Sequence, residues 1–453
     1  MIDINLILKT DSYKASHYLQ YPPEAEGYFG YIMPREDKKT DVVFFGLQIF
    51  LMDVLSHNIC QDDIDEAEVF LKKHGLPFNK DGWEYILKKY DGYIPVTINA
   101  VPEGTVVPSN NVLVTIECTD PKCFWVASHI ETMLLRAVWY PTTVATYSRN
   151  CKKIIQFYLA VSSDNQYKEI QFKLHDFGAR GVSSGESAAI GGAAHLVNFM
   201  GSDTIEGIQL ANRIYDIDMA SFSIPASEHS TITAWGQGNE AQAYENMIDK
   251  FPTMFACVSD SYDIYNACAN IWGDKLASKV KKHGNIVIRP DSGNPAETVL
   301  TCLKLLDCSN LGSTKNSKGY KVINHVKLIQ GDGINIKTIN EICEVVTKNG
   351  FSMDSVGFGM GGALLQHHNR DELKFAMKMS AVRINGLWKD VVKTPIGDRF
   401  KHSLAGRVSL YKIDEKFITK RYDGEMNNVL RVVYRNGYVL NKSKFTQIRK
   451  RAE

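Results

Sequence analysis

The chain has 453 residues, 44% hydrophobic and 23% charged, enough for two or three globular domains, with a formal net charge of +1. That balance gives no bulk electrostatic case for nucleic acid or an anionic membrane, so any phosphate binding must come from local clusters. No apolar run approaches the roughly 18 residues of a membrane-spanning helix, and the first twenty residues lack a leader's apolar core and cleavage site, so a cytoplasmic protein is expected. Nine scattered cysteines without paired short spacings argue against a disulfide framework or a zinc site.

In chain order, residues 1–165 mix helices and strands. "SHIETMLLRAVWY", with Ser128 and Glu131 at capping-box spacing, predicts a helix, and "VPEGTVVP" and "NVLVTIE" predict strands. Between about 169 and 366 a pattern repeats, though not a sequence. "EIQFKLHDFGARG", "FSIPASEHSTITAWG", "FACVSDSYDIYNA", "NIVIRPDSGNP", "HVKLIQGDG" and "SVGFGMGGALLQ" each begin apolar and end in charge or glycine, and most run on into a helix. Asn294, Pro295 and Glu297 form the clearest helix start, as N-cap, first helical residue and capping-box partner. Beyond 375, "VSLYKIDEKFITK" and "VLRVVYRNGYVL" predict hairpins, the second turning at Asn436-Gly437.

Strands alternating with helices imply parallel βα units, and their apolar character implies burial on both faces. The expected fold is α/β, an irregular α/β barrel over residues 166–374 beside a mixed-sheet α+β domain built from both chain ends, 1–165 and 375–453. In such folds ligands bind at the carboxyl ends of the strands. There the sequence places His175-Asp176, His229, Asp260, Arg289-Asp291, Gly331-Asp332 and Gly359–Gly362. Arg289 and Asp291 share a face, and a wholly apolar strand before them favours function over a surface ion pair. "QGDG" and "GMGG" allow close backbone approach to a phosphate; neither is a Walker A loop, and no strand-opening GxGxxG is present. Arg370, Lys378, Lys393, Lys401 and Arg407 are either solvated surface charge or a reserve for several phosphates. The residues alone leave open phosphosugar isomerases, aldolases and glycosyl-phosphate transferases.

"DSYKASHYLQYPP", "FGLQ", "LHDFGARGVSS", "GSDT", "IPASEHSTITAWG", "VSDSYDIYNA", "IRPDSGNP", "IQGDG", "NSKGY" and "GFGMGGALLQ" together resemble the nicotinamide phosphoribosyltransferase family, from about residue 5 to residue 450. Nicotinate phosphoribosyltransferase is a more distant relative of the same architecture. The resemblance implies transfer of the phosphoribosyl group of phosphoribosyl pyrophosphate (PRPP) to nicotinamide. The products would be nicotinamide mononucleotide and pyrophosphate, for NAD salvage, made by a homodimer with shared active sites.

Residue by residue, it implies that Phe177 stacks on one face of the pyridine ring and Tyr13 of the second subunit covers the other. Asp203 would accept the amide N–H, and Arg180, Arg289 and His229 would surround the pyrophosphate. Asp291 and Asp332 would hold the ribose hydroxyls, Asp291 also lying near Mg²⁺. Gly331, Gly361 and Gly362 would line the 5-phosphate site, reached by Arg370 and Lys378 of the partner chain. Arg35, Lys393 and Lys401 would meet the leaving phosphates. Animal members carry Tyr, Arg and Ser where this chain has Ala179, Lys327 and Ala376. Ala179 would open space beside the ring and Lys327 would remove a planar fork at the mouth of the site. Ala376 would remove a phosphate donor. The compact length resembles bacterial or phage members.

His229 has no ligand-spaced partner for zinc on its own segment, and nicotinamide attacks through a lone pair that needs no base. A nucleophile remains. The resemblance implies that ATP, as a coupled substrate, phosphorylates this histidine, with Glu228 or another carboxylate orienting the ring.

Overall fold

In the computed structural model, which describes residues 5–35, 40–165, 169–394, 403–424 and 427–453, the repeat in the middle of the chain is one parallel sheet. Its strands are β1 (Leu174–Asp176), β2 (Gly201–Ser202), β3 (Phe255–Val258), β4 (Ile286–Arg289), β5 (Val326–Gln330) and β6 (Val356–Met360). Their spatial order is β2-β1-β6-β5-β4-β3, every neighbouring pair parallel.

The two edges meet through residues 222–227. Phe222 bridges to Gly201 and Ala226 to Ala256, so the sheet curls into an irregular barrel. This segment reads as a strand in sequence but makes only isolated bridges. The Pro225 carbonyl accepts the Ala256 N–H at 2.9 Å, yet proline has no N–H to extend a ladder. Ala256, Val287 and Ile329 pack inside the curl with Phe177, Ile224 and Met254 against them. Helix 295–308 begins as expected at Asn294 and Pro295, but Asn294 Oδ1 takes both the Ala296 and Glu297 N–H groups, so the cap is one-sided.

Contacts divide the described residues into two compact units. One takes residues up to Thr146, Ala211–Ile217 and those from His368 onward; the other takes Tyr147–Leu210 and Asp218–His367 and contains the barrel. The expected boundary at 165/166 stands beside a contact boundary inside the helix Glu131–Ser162, and residues 368–374 group with the terminal unit.

In the terminal unit both chain ends build one seven-stranded sheet. Its order is Leu387–Asp390, Ala376–Ile384, Ala25–Met33, Val114–Cys118, Val96–Ala100, Arg431–Arg435 and Tyr438–Val439. The last hairpin turns at Asn436 and Gly437, both at positive φ, and Val408–Ile413 pairs with Lys416–Arg421 as a second hairpin.

Two local expectations fail there. Ser128 does not cap the long helix: it lies buried in the short helix Val126–His129 and its Oγ is 2.9 Å from His17 Nδ1, while Glu131 binds Lys14. In "VPEGTVVP" only Val106–Pro108 is strand. Gly104 sits at φ +87°, where an added Cβ would lie 2.2 Å from the Ile448 carbonyl oxygen, and this turn breaks the ladder. All nine cysteines are free and six are buried. Among the described residues no helix is long and apolar enough to cross a membrane.

Candidate active site

At the end of β1 the Phe177 N–H donates to the Met360 carbonyl at 2.9 Å, so the turn out of β1 is tied to the end of β6. The Phe177 ring lies on Gly359. A Cβ at that glycine would come within 1.9 Å of the ring, so no side chain is compatible with this ring position. Asp176 shapes the same turn, its Oδ1 accepting the Gly178 N–H at 2.7 Å. Burial pushes the Asp176 carboxyl up to about 6. The next turn carries Arg180, exposed, and packs Gly181 against Gly362, where an added Cβ would lie 3.3 Å from the Gly362 Cα. The glycine loop after β6 therefore abuts the arginine loop after β1.

Asp203 follows β2, its N–H donating to the Asp176 carbonyl at 2.9 Å. Its carboxylate accepts the Ser223 hydroxyl at 2.5 Å. Burial holds the His175 imidazole below its usual pKa, keeping it neutral, although the negative Asp203 pulls the other way. Ser223 is a site residue that sequence reasoning missed; the only signal was its place in the segment that closes the barrel.

His229 opens the helix His229–Thr233, with its side chain 47% exposed. Its Nε2 is 3.0 Å from Asp260 Oδ1, and the Asp260 side chain is only 4% exposed. The orienting carboxylate is thus Asp260, two residues past β3. Glu228 instead accepts from the Ser230 hydroxyl and caps the helix with Thr231.

Arg289, at the end of β4, lies 3.5 Å from Asp291, and both side chains are largely buried. That burial sets the pair apart from a solvated surface contact. Burial raises the Asp291 carboxyl above its usual range, Asp260 and Asp332 push it further, and Arg289 and His229 oppose them. A Cβ on Gly331 would lie 2.9 Å from Asp291 Oδ1 and 3.6 Å from the Phe177 ring. Phe177, Arg180, Asp203, His229, Arg289, Asp291, Gly331, Asp332, Gly361 and Gly362 therefore all stand at the carboxyl ends of the barrel strands or in the loops that follow them.

The other expected residues belong to the terminal unit. Tyr13 is 57% exposed on the 3₁₀ segment Ser12–Leu19, with the Lys14 ammonium 5.5 Å from its ring centre and His17 edge-on at 5.0 Å. Lys378 faces Tyr31 across the sheet; burial lowers its pKa, Glu131 opposes that, and the positive Arg35, Lys393 and Lys14 add to it. These cations form one basic cluster. Arg370 is exposed beside Asp371 at 3.4 Å, and Lys401 lies outside the described residues. Arg407 is already engaged: it pairs with Glu117 at 3.0 Å and lies against the rings of Phe29, Trp388 and Tyr422.

Lys327 requires a correction. It is the second residue of β5, at the amino end of the barrel, and its ammonium binds both carboxylate oxygens of Glu169 at 2.8 and 2.7 Å. Nearby Lys173 donates to the carbonyls of Met353, Asp354 and Val356. Lys327 is therefore held at the end of the strands opposite the loops that carry Arg180, His229 and Asp291, not at the mouth of the site. Ala376 is buried at the start of its strand opposite Met33, and Ala179 is half-buried in the turn that carries Arg180.

The sequence model of the nicotinate phosphoribosyltransferase (NAPRTase) family matches residues 172–438, and that of the nicotinamide phosphoribosyltransferase N-terminal domain matches residues 5–98. A nicotinamide phosphoribosyltransferase of Xanthomonas campestris pv. campestris (strain 8004) is 48% identical, the match covering 99% of this chain and 98% of that protein. The chain belongs to the nicotinamide phosphoribosyltransferase family. A Mycoplasma pneumoniae protein of the same name is 30% identical over 88% of this chain and 94% of its own length. Among solved structures, nicotinate-nucleotide pyrophosphorylase from Pyrococcus furiosus superposes with a TM-score of 0.65 at 16% identity, covering 99% of this chain and 95% of its own. Human nicotinic acid phosphoribosyltransferase gives 0.58 at 15% identity, over 98% and 92%. Those two likenesses concern the fold. Membership makes this phosphoribosyltransferase-family chain a transferase of NAD biosynthesis.

Proposed function

We propose that this phosphoribosyltransferase moves the 5-phosphoribosyl group of PRPP to nicotinamide, releasing pyrophosphate. The observation that carries the reading is the Asp203 carboxylate, fixed by Ser223 near the Phe177 turn. A carboxylate there attracts a carboxamide N–H and repels the carboxylate of nicotinate. The ring nitrogen attacks C1 of the ribose while the C1–O bond breaks and its electron pair leaves on pyrophosphate; no proton moves. Positive charge grows on the sugar, where Asp291 and Asp332 stabilise it, as carboxylates do in glycosidases. Negative charge grows on the leaving group, where Arg180 and Arg289 receive it by preorganised electrostatics. Phe177 aligns the ring, and the backbone beside Gly331, Gly361 and Gly362 takes the 5-phosphate.

Mg²⁺ fits this site as a partner of the substrate. Asp291 is pressed by two neighbouring carboxylates, so a dication would relieve it. Among the described residues no group of three or more His, Cys, Asp or Glu is set to cage a metal, and Mg²⁺ commonly uses one or two carboxylates with substrate phosphates supplying the rest. Asp291 would hold the ion, which would neutralise pyrophosphate.

His229 carries the coupling to ATP. With Nε2–H donating to Asp260, the lone pair of Nδ1 is free to attack the γ-phosphorus; the bond to the β-phosphate oxygen breaks and ADP leaves. Water later cleaves the N–P bond and releases phosphate. Incubation with PRPP and Mg²⁺, with nicotinamide or nicotinate in separate reactions, tests the reading. Nicotinamide mononucleotide and pyrophosphate are expected in equal amounts; product from nicotinate alone would assign the other base, and no product from either would indicate a binding protein.

A homodimer with shared sites is the accompanying assembly, Tyr13, Arg370 and Lys378 acting on the partner's barrel and the Arg35, Lys378 and Lys393 cluster meeting phosphates. Mixing Tyr13→Ala with Asp291→Ala subunits is expected to restore part of the activity in hybrid dimers. Absence of complementation with subunit exchange verified would contradict sharing.

A further inference from the structure

Asp260 is held from behind by a chain of buried polar groups that substrate does not need. Between β3 and Asp260 stands Ser259, fully buried. Its N–H donates to the Arg289 carbonyl at 3.0 Å and its hydroxyl donates to the Cys257 carbonyl at 3.0 Å. The same oxygen accepts the indole N–H of Trp272 at 3.1 Å. One serine thus ties together the strand ends that carry Asp260 and Arg289.

Trp272 is itself fully buried, on a nine-residue π-helix, Ala267–Lys275, an uncommon geometry often found at functional sites. The π turn is closely packed: a Cβ on Gly273 would lie 2.6 Å from both the Cys268 carbonyl oxygen and Ser309 Cβ. The indole stacks on Tyr244, ring centres 4.6 Å apart and planes 9° off parallel. Tyr244 donates its hydroxyl to Glu240 Oε1 at 2.7 Å, and Glu240 is buried as well. A phenylalanine would keep a ring against Tyr244 but leave a small cavity where the pyrrole ring stood. What it could not do is hold Ser259, and a buried indole N–H that lost its acceptor would be destabilising.

We propose that Trp272, acting through Ser259, is a positioning residue for the Asp260–His229 pair and hence for phosphoryl transfer from ATP. The proposal rests on the reading of His229 given above. Phosphoryl transfer is mostly alignment, so a shift of Asp260 by a fraction of an ångström costs the histidine its in-line approach. Transfer of the phosphoribosyl group in the absence of ATP does not use that approach.

The test compares the full-length wild-type enzyme with Trp272→Phe, which leaves a small cavity, and Ser259→Ala, which nearly keeps the packing volume. Each variant is expected to lower kcat for ATP hydrolysis about tenfold with KM for ATP within about twofold, and to lower ATP-independent synthesis by less than about threefold. The yield of mononucleotide per ATP should fall, and acid-labile phosphate on the protein should fall with the hydrolysis rate. Ser259→Thr, which keeps the hydroxyl, should restore most of the coupling. Equal loss of ATP-dependent and ATP-independent rates in both variants, or wild-type coupling in both, overturns the proposal. Its failure is distinct from failure of the histidine reading, which shows in the wild-type enzyme as absence of acid-labile phosphate.

Discussion

Replacing His229 by alanine is expected to lower ATP hydrolysis and its stimulation of synthesis on the order of 10³-fold while a slow ATP-independent transfer persists. The effect should be large because the imidazole is the exposed nucleophile of the dyad, whereas the Asp260 side chain is only 4% exposed and is engaged with Nε2 at 3.0 Å. Alanine also leaves the nearly buried Asp260 carboxylate without its donor, which is destabilising in its own right. His229→Gln separates the two effects, since its amide can still donate to Asp260 but forms no phosphoramidate. Both variants should lack acid-labile phosphate after incubation with labelled ATP. Phosphate retained in either, or unchanged ATP stimulation, would contradict the assignment.

Asp203→Ser is expected to narrow a preference for nicotinamide over nicotinate of about 10³-fold in kcat/KM to about tenfold or less. Two terms act in the same direction. The carboxylate attracts an amide N–H, and it repels a substrate carboxylate. Ser223 sharpens both by fixing one Asp203 oxygen at 2.5 Å, leaving the other for substrate. The measurement is competition between the two bases at limiting PRPP. Equal efficiencies in the unaltered enzyme would defeat the explanation.

The barrel was legible because its strands are short apolar runs that stop abruptly at charge, and that boundary coincides with their carboxyl ends. "IRPDSGNP" and "IQGDG" announce β4 and β5 in this way, and the residues that follow them do gather around Asp291. β2 was not legible. Gly201 and Ser202 are two residues with no periodicity, and the strand exists only because β1 and Phe222 pair with its backbone. Nor could sequence pair His229 with Asp260, 31 positions later, because adjacency across a closed sheet is tertiary. Lys327 misled for a related reason. The resemblance set it at the mouth of the site, but its place two residues into β5 puts it at the amino end with Glu169. In the terminal unit, Arg407 could be read as solvated surface charge or as a phosphate reserve, and its packing on three rings and its pairing with Glu117 are tertiary.

The most direct test of the central claim is a structure of the enzyme with nicotinamide mononucleotide and pyrophosphate bound. The pyridine ring is expected against Phe177 at about 4 Å and the carboxamide nitrogen within about 3.2 Å of an Asp203 oxygen. The ribose hydroxyls are expected on Asp291 and Asp332 and the pyrophosphate beside Arg180, Arg289 and His229. A pyridine ring bound away from Phe177, or a carboxamide turned from Asp203 with the ribose remote from Asp291, would contradict it.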